Sequence, residues 1–250
     1  MVSRRPHAPG ARVTDGTVRD TAVPPPRATR RPRLSHALLP LLLSLIAADA
    51  SAVLFEEPFK QNLSPGWSWL REDKPDWKLA DNALHIRLAP GNLWANENTA
   101  RNLLLRDAPK DAKSFTAEVT LSLAPAAFGE QAGLLWYRDD DNYLKLTKEF
   151  YNDRTWVVFA AERDGKPDYR EAECRGQWVN LRLTVAGDQV AASFLPVGGT
   201  AAKSMGTFDF PARDPKDAKQ FTRIGLTAHH GAPDSDRWAV FRDFRIVRAE

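Results

Sequence analysis

From Val53 onward, clusters of Gly, Pro, Asp and Asn interrupt the chain every few residues, and the stretches between them alternate apolar with polar side chains. Ala83–Leu88, Phe115–Leu123, Trp178–Val185 and Arg223–His230 all follow this period of two. Such alternation places the apolar groups on one face and marks half-buried strands. Ala108–Lys113 and Asp214–Ala218 have room for one helical turn each, and no longer helical stretch separates the strands. Many short strands without crossover helices predict an antiparallel sandwich or barrel.

The first 52 residues have a different grammar. Arg30, Arg31 and Arg33 precede the apolar run ALLPLLLSLIAA (residues 37–48), and Ala50-Ser51-Ala52 follows it. A basic stretch, a short apolar core and a small-x-small site are the parts of a secretory leader. The run falls short of the about 20 apolar residues that cross a bilayer, and Pro40 interrupts it. The expected organisation is therefore a cleaved leader over 1–52 and one domain over 53–250, exported to the periplasm or the medium. No stable membrane span is expected after cleavage.

The leader also carries most of the basic charge. The whole chain has a formal net charge of +3, but the part after residue 52 holds 27 Lys and Arg against 29 Asp and Glu. A net charge of −2 with interspersed signs removes the electrostatic case for nucleic acid as a partner. Cys174 is the single cysteine, so stability has to come from a core in which eight Trp and twelve Phe are available.

The stretch from Glu130 to Glu162 is the most informative. Two strands, Glu130–Tyr137 and Tyr143–Phe150, flank the turn formers Arg138-Asp139-Asp140-Asp141-Asn142. Setting Tyr137 opposite Tyr143 places Leu134 opposite Leu146 and Gln131 opposite Glu149. One face then carries Ala132, Leu134, Trp136, Leu144, Leu146 and Phe150 and should be core. The other carries Gln131, Gly133, Tyr137, Tyr143, Lys145, Thr147 and Glu149. A third strand, Thr155–Glu162, brings Trp156 beside Glu149 on the polar face and points Val157 and Phe159 inward. In Arg223–His230, Arg223, Thr227 and His229 lie opposite the apolar set.

The run Glu130-Gln131-Ala132-Gly133-Leu134, followed by Asp140-Asp141-Asn142-Tyr143-Leu144-Lys145 and Glu149-Phe150, resembles the concanavalin A-like domains called DUF1349. These are similar to the domain at the C-terminus of many beta-xylosidases. Arg223-Ile224-Gly225-Leu226 and the closing Phe241-Arg242-Asp243-Phe244-Arg245-Ile246 fit the last strands of that pattern. The resemblance implies an all-β, concanavalin A-like jelly-roll sandwich of two antiparallel sheets, a carbohydrate-related role and, in some members, a structural calcium ion. In glycoside hydrolases this domain assists a separate catalytic domain, for which the 250 residues leave no room.

Sugars offer flat C–H faces to aromatic rings and hydroxyls to fixed polar groups. Trp156, Tyr137 and Tyr143 are thus candidates for stacking, with Gln131, Lys145, Glu149 and His229 for hydrogen bonding. The plainer alternative is a solvated sheet face with Lys145 and Glu149 as cross-strand partners. For catalysis, E-x-D-x-E spacing is absent; Glu149 with Glu162 or Glu118 could meet only if the register allowed it. His229-His230 cannot share one ion, because neighbouring strand residues point to opposite faces. Calcium would have to be held by the Asp139–Asn142 turn, or by Glu57 (or Glu56) on the first strand with Asp243 on the last. The expected function is an exported, non-catalytic module that binds a poly- or oligosaccharide. A glycoside hydrolase or polysaccharide lyase on the same fold, and a protein-interaction module, are the alternatives.

Overall fold

A computed structural model of the chain describes residues 52–212 and 221–249. The leader and the Asp214–Ala218 turn lie outside the described residues. In chain order the strands are β1 (Val53–Glu57), β2 (Trp67–Leu70), β3 (Trp77–Ala80), β4 (Ala83–Arg87), β5 (Leu93–Trp94), β6 (Glu97–Asn98), β7 (Leu103–Asp107), β8 (Ser114–Ser122) and β9 (Gln131–Asp139). They continue with β10 (Asn142–Tyr151), β11 (Arg154–Arg163), β12 (Lys166–Glu173), β13 (Trp178–Ala186), β14 (Gln189–Pro196), β15 (Lys203–Asp209), β16 (Arg223–His229) and β17 (Trp238–Arg248). One 3-10 turn occurs among the described residues, Lys74–Asp76, with Pro at its second position, where no backbone N–H is needed. Residues 108–113 form a turn rather than a helix.

One large sheet has the order β15-β14-β13-β8-β17-β4-β3, with β1 added against β17. The other has the order β12-β11-β10-β9-β16-β7-β2, and β5 and β6 form a separate small hairpin. Every strand pair is antiparallel. The two sheets bury one continuous core between them, with Leu84, Leu181, Phe194 and Phe241 from the first facing Leu134, Trp136, Leu146 and Phe159 from the second. Phe115 meets Trp136 edge to face with ring centroids 5.8 Å apart. Fully burying each such side chain contributes roughly 1.5–3 kcal/mol. Of the sandwich or barrel that the alternation predicts it is the sandwich, and it is the jelly roll that the resemblance implies.

The hairpin registers agree with the sequence reading. Tyr137 pairs with Tyr143, Leu134 with Leu146, Gln131 with Glu149, and Glu149 with Trp156. The connection is tighter than the sequence suggests, because the strands continue to Asp139 and from Asn142 and leave a two-residue turn at Asp140-Asp141. Phe150 corrects the expected core set: it is half-buried and lies outside the core cluster. Two positions before it on the same face, Lys148 is buried, and its ammonium donates to the carbonyls of Leu123 (2.8 Å), Gln177 (3.0 Å) and Gly176. Burial lowers the Lys148 pKa, and three carbonyl acceptors stand in for the water it has lost.

Glu57 fastens the crossing from one sheet to the other. Its carboxylate accepts the Phe59 N–H (2.9 Å), the Ser64 N–H (2.9 Å) and the Trp67 indole N–H (2.8 Å), so β1 is tied to the start of β2. Glu57→Ala leaves those three donors without an acceptor. Unfolding in urea should show a loss of about 2–4 kcal/mol with an unchanged slope; a loss below about 0.5 kcal/mol would show that water replaces the carboxylate at no cost.

Candidate functional site

The outer face of the β12–β2 sheet is not an open platform. The segment 88–102, with the β5–β6 hairpin at its centre, lies across part of it and traps a second, smaller apolar cluster. Leu93, Ala100, Leu103, Leu105 and Leu135 pack there with Tyr137 and Tyr143. The two tyrosines are 4% and 0% exposed, so their rings serve as packing for the cover and are closed to a ligand. The Tyr143 hydroxyl lies 2.7 Å from both the Leu93 carbonyl and Glu162 Oε2, and donates its one proton to one of these two acceptors. The Tyr137 hydroxyl donates to Asp140 (2.8 Å). Burial comes first among the causes that raise both phenol pKa values.

Further bonds hold the cover down. Lys145 Nζ donates to the Leu93 carbonyl (3.0 Å), the Ala95 N–H to Glu162 (2.8 Å), and Asn98 to Asp141 (2.8 Å). Arg71 donates to the Ala100 carbonyl and grips Asp140 with two N–H groups at 2.7 and 3.0 Å. The acidic turn therefore serves as an acceptor for neighbouring side chains.

Beyond the edge of the cover the same face opens into a cleft of about 230 Å³. Gln131, Lys145, Glu149 and Val158 form its floor, and Trp94, Phe128, Tyr151, Tyr169 and His230 form its walls. Three of the seven residues expected at a ligand site, Gln131, Lys145 and Glu149, thus line one cavity. Trp156 stands just outside, stacked on Tyr151 with centroids 5.6 Å apart. His229 pairs with Gln131 in the sheet but is 1% exposed, its Nδ1 bonded to Thr227 (3.0 Å). Burial pushes its pKa well below the ordinary value, which leaves a neutral imidazole that a ligand does not reach.

The wall residues escaped the sequence reading for different reasons: Tyr151 and His230 stand at strand ends, Trp94 and Tyr169 on short or mostly exposed strands, and Phe128 in a loop. Phe128 stands between Ala127 and Gly129 in a loop and is 73% exposed, an aromatic that the core does not use. That misplacement was its only signal. His230 has φ +67, and its ring packs so closely on Gly129 that a Cβ there would come within 2.6 Å of Nδ1. Gly129 itself has φ +81, so the position favours glycine on both counts.

The electrostatics of the floor are uneven. Lys145 is 1% exposed, lies 4.8 Å from the centroid of the Trp94 ring, and has its pKa lowered by burial to about 8. Glu149 accepts no hydrogen bond from the described residues and keeps part of its surface in the cleft. Burial raises its pKa, opposed by the field of Lys145 and assisted by Glu171. The other expected carboxylate partners are elsewhere. Glu162 pairs across from Tyr143, six residues along β11 from the partner of Glu149. Glu118 is on the opposite sheet, ion-paired to Arg182 (2.7 Å) and Arg245.

A larger groove of about 930 Å³ crosses the outer face of the other sheet and is lined by Glu57 and Asp243 among others. Its residues do not fit a calcium ion as arranged. The Glu57 oxygens already take three N–H donors, and no cluster of three or more His, Cys, Asp or Glu suited to a metal occurs among the described residues.

Two antiparallel sheets, a covered outer face and an aromatic-walled cleft define a concanavalin A-like sandwich. The chain belongs to the family of beta-xylosidase C-terminal concanavalin A-like domains, whose profile matches residues 55–247. Among solved structures it is similar to the GH43 protein BlXynB from Bacillus licheniformis, at 21% identity and a TM-score of 0.68 over 78% of this chain and 39% of that one. A xylan beta-1,4-xylosidase from Bacillus halodurans C-125 is similar at 18% identity and a TM-score of 0.66, over 77% and 38%. A functionally unknown protein from Saccharomyces cerevisiae shares the fold at 17% identity and a TM-score of 0.58, over 74% of this chain and 97% of that one. The chain thus spans about two fifths of the two bacterial enzymes' length, and these likenesses concern the fold. No curated protein matches it.

The lowered Lys145 pKa has a measurable sign. Between about 8 and 10.5 the folded state binds fewer protons than the unfolded one, so the cost of the buried charge is full below pH 8 and is relieved as pH rises. Stability measured relative to Lys145→Met should therefore rise from pH 8 to 10.5. The Lys145 side-chain resonance should titrate near 8, and lower still in Glu149→Gln. A midpoint above 10 would show the ammonium to be solvated.

Proposed function

We propose that the chain is an exported, non-catalytic carbohydrate-binding sandwich, and that the cleft over Glu149 is where the glycan sits. The observation that carries this reading is an unpartnered carboxylate among aromatic walls. Glu149 is only partly buried and opens into the cleft, where a sugar can replace water by offering hydroxyls to the carboxylate and C–H faces to the rings. The family to which the chain belongs supports a saccharide as the ligand class. Xylan-derived oligosaccharides are the first to test, since one similar structure is a xylan beta-1,4-xylosidase. Export rests on the basic, apolar and small-residue segments that precede Val53.

Catalysis is the second reading, favoured by the raised Glu149 carboxyl in a cavity. It lacks a second carboxylate on the cleft floor, and His229 is sealed from it. A flat apolar face would have favoured a protein partner; the concave, ring-walled shape favours a small polar ligand.

A glycan array followed by titration calorimetry tests the binding. Tyr169 is 53% exposed, so Tyr169→Ala should leave the unfolding midpoint in place while weakening binding about tenfold. Unchanged affinity in both Tyr169→Ala and Trp94→Ala would move the ligand out of this cleft. Release of reducing ends from a bound glycan would replace the non-catalytic reading by the enzymatic one.

A further inference from the structure

The cleft is bounded by rings in pairs. At the Lys145 end Trp94 and Tyr169 meet edge to face, with centroids 6.0 Å apart. At the Glu149 end Tyr151 stacks on Trp156 at 5.6 Å. Along the β9–β16 side Phe128 and His230 meet at 6.3 Å, nearly perpendicular. The side toward β12 is crossed by the hydrogen bond from the Tyr151 hydroxyl to Glu171. A polymer lying along the sheet would have to leave at both ends, and a ring pair stands at each.

The size points the same way. A volume of about 230 Å³ lies below the range of about 300–1,000 Å³ typical of drug-sized ligand sites. It suits one sugar ring with its hydroxyls.

The charge a ligand meets is negative. Glu149 is the one carboxylate lining the cleft, and Lys145 is the one ammonium. Lys145 is withdrawn beneath Trp94 and bonded to the Leu93 carbonyl, whereas Glu149 keeps free acceptor positions toward the cavity. Glu171, just beyond the Tyr151 hydroxyl, adds a second negative field. A carboxylated sugar placed here would face the Glu149 carboxylate, while the one ammonium, Lys145, is held beneath Trp94 by the Leu93 carbonyl. A neutral sugar would bring the donors that Glu149 lacks.

We infer that the cleft receives the single terminal residue of a neutral glycan, with adjacent hydroxyls donating to Glu149 and the ring's C–H face against Trp94 and Tyr169, and that it rejects uronic acids. This rests on the carbohydrate reading above and adds to it the mode of recognition and the class of sugar.

Titration calorimetry on the purified protein tests it. The probes are neutral xylo-, arabino-, manno-, gluco- and galacto-oligosaccharides of two to six residues, with oligogalacturonides of the same lengths. In a series that binds, Kd per mole of chain should stay within about threefold from the shortest to the longest member, because added residues lie outside the cleft. Oligogalacturonides should bind at least about tenfold more weakly. Glu149→Gln, shown to be folded at the assay temperature by circular dichroism, should weaken the neutral series and narrow its gap from the uronates. A Kd that falls about tenfold or more with length, or uronates that bind as well as neutral sugars, would overturn the inference while leaving carbohydrate binding intact. Absence of binding by every probe at millimolar concentration would remove the carbohydrate reading itself.

Discussion

The Leu93 carbonyl, met by the Lys145 ammonium and lying within reach of the Tyr143 hydroxyl, decides what the polar face of this sandwich becomes. Without that contact β9, β10 and β16 would present an ordinary solvated surface. With it, the segment 88–102 is drawn down, a second apolar cluster forms beneath it, and Trp94 is delivered to the rim of the cleft. Lys145 thereby gives up hydration for one carbonyl and one aromatic face, and its lowered pKa records that the exchange is incomplete. The cleft exists because the cover stops short of Glu149.

The division of labour between two carboxyl groups of this face, Glu162 and Glu149, follows from their surroundings. Glu162 accepts the Ala95 N–H and lies beside the Tyr143 hydroxyl, and is fully buried as part of the cover's fastening. Glu149 sits on the same face but beyond the cover, where no protein donor among the described residues reaches it. Glu162 is structural because the cover lies over it and one of its oxygens receives the Ala95 N–H; Glu149 is available because its carboxylate opens into the cleft. Glu57, whose oxygens take three N–H groups, is structural in the same sense as Glu162.

Much of the fold was legible because antiparallel register is local. Once Tyr137 is set opposite Tyr143, the places of Leu134, Gln131 and Trp156 follow from counting, and the structure agrees. Inside and outside were legible wherever the alternation was regular, and failed at Lys148, whose charge argued against the core face that the period assigns to it. The candidate site was half visible. Gln131, Lys145 and Glu149 belong to the periodic strands, whereas Trp94 lies on a two-residue strand, Phe128 in a loop and His230 just past the end of β16, and their placement depends on contacts far along the chain. The burial of Tyr137 and Tyr143 was invisible for the same reason: a strand's pattern says which face a residue shares, and nothing about what is laid over that face.

The strand that carries Tyr169 is the outermost of its sheet, and its row from Lys166 to Glu171 is exposed. An unpaired edge is where a foreign strand most readily adds itself, and an exposed tyrosine makes such an edge more adhesive. The neighbours of Tyr169 work against this. Pro167 withholds a backbone donor, and Lys166, Asp168, Arg170 and Glu171 set charge of both signs along the row. A ligand wall built at that place can therefore be sticky toward one small partner and still discourage the chain from stacking with its own copies. Any redesign that widens the cleft by replacing those charges would trade selectivity for fibre-forming tendency.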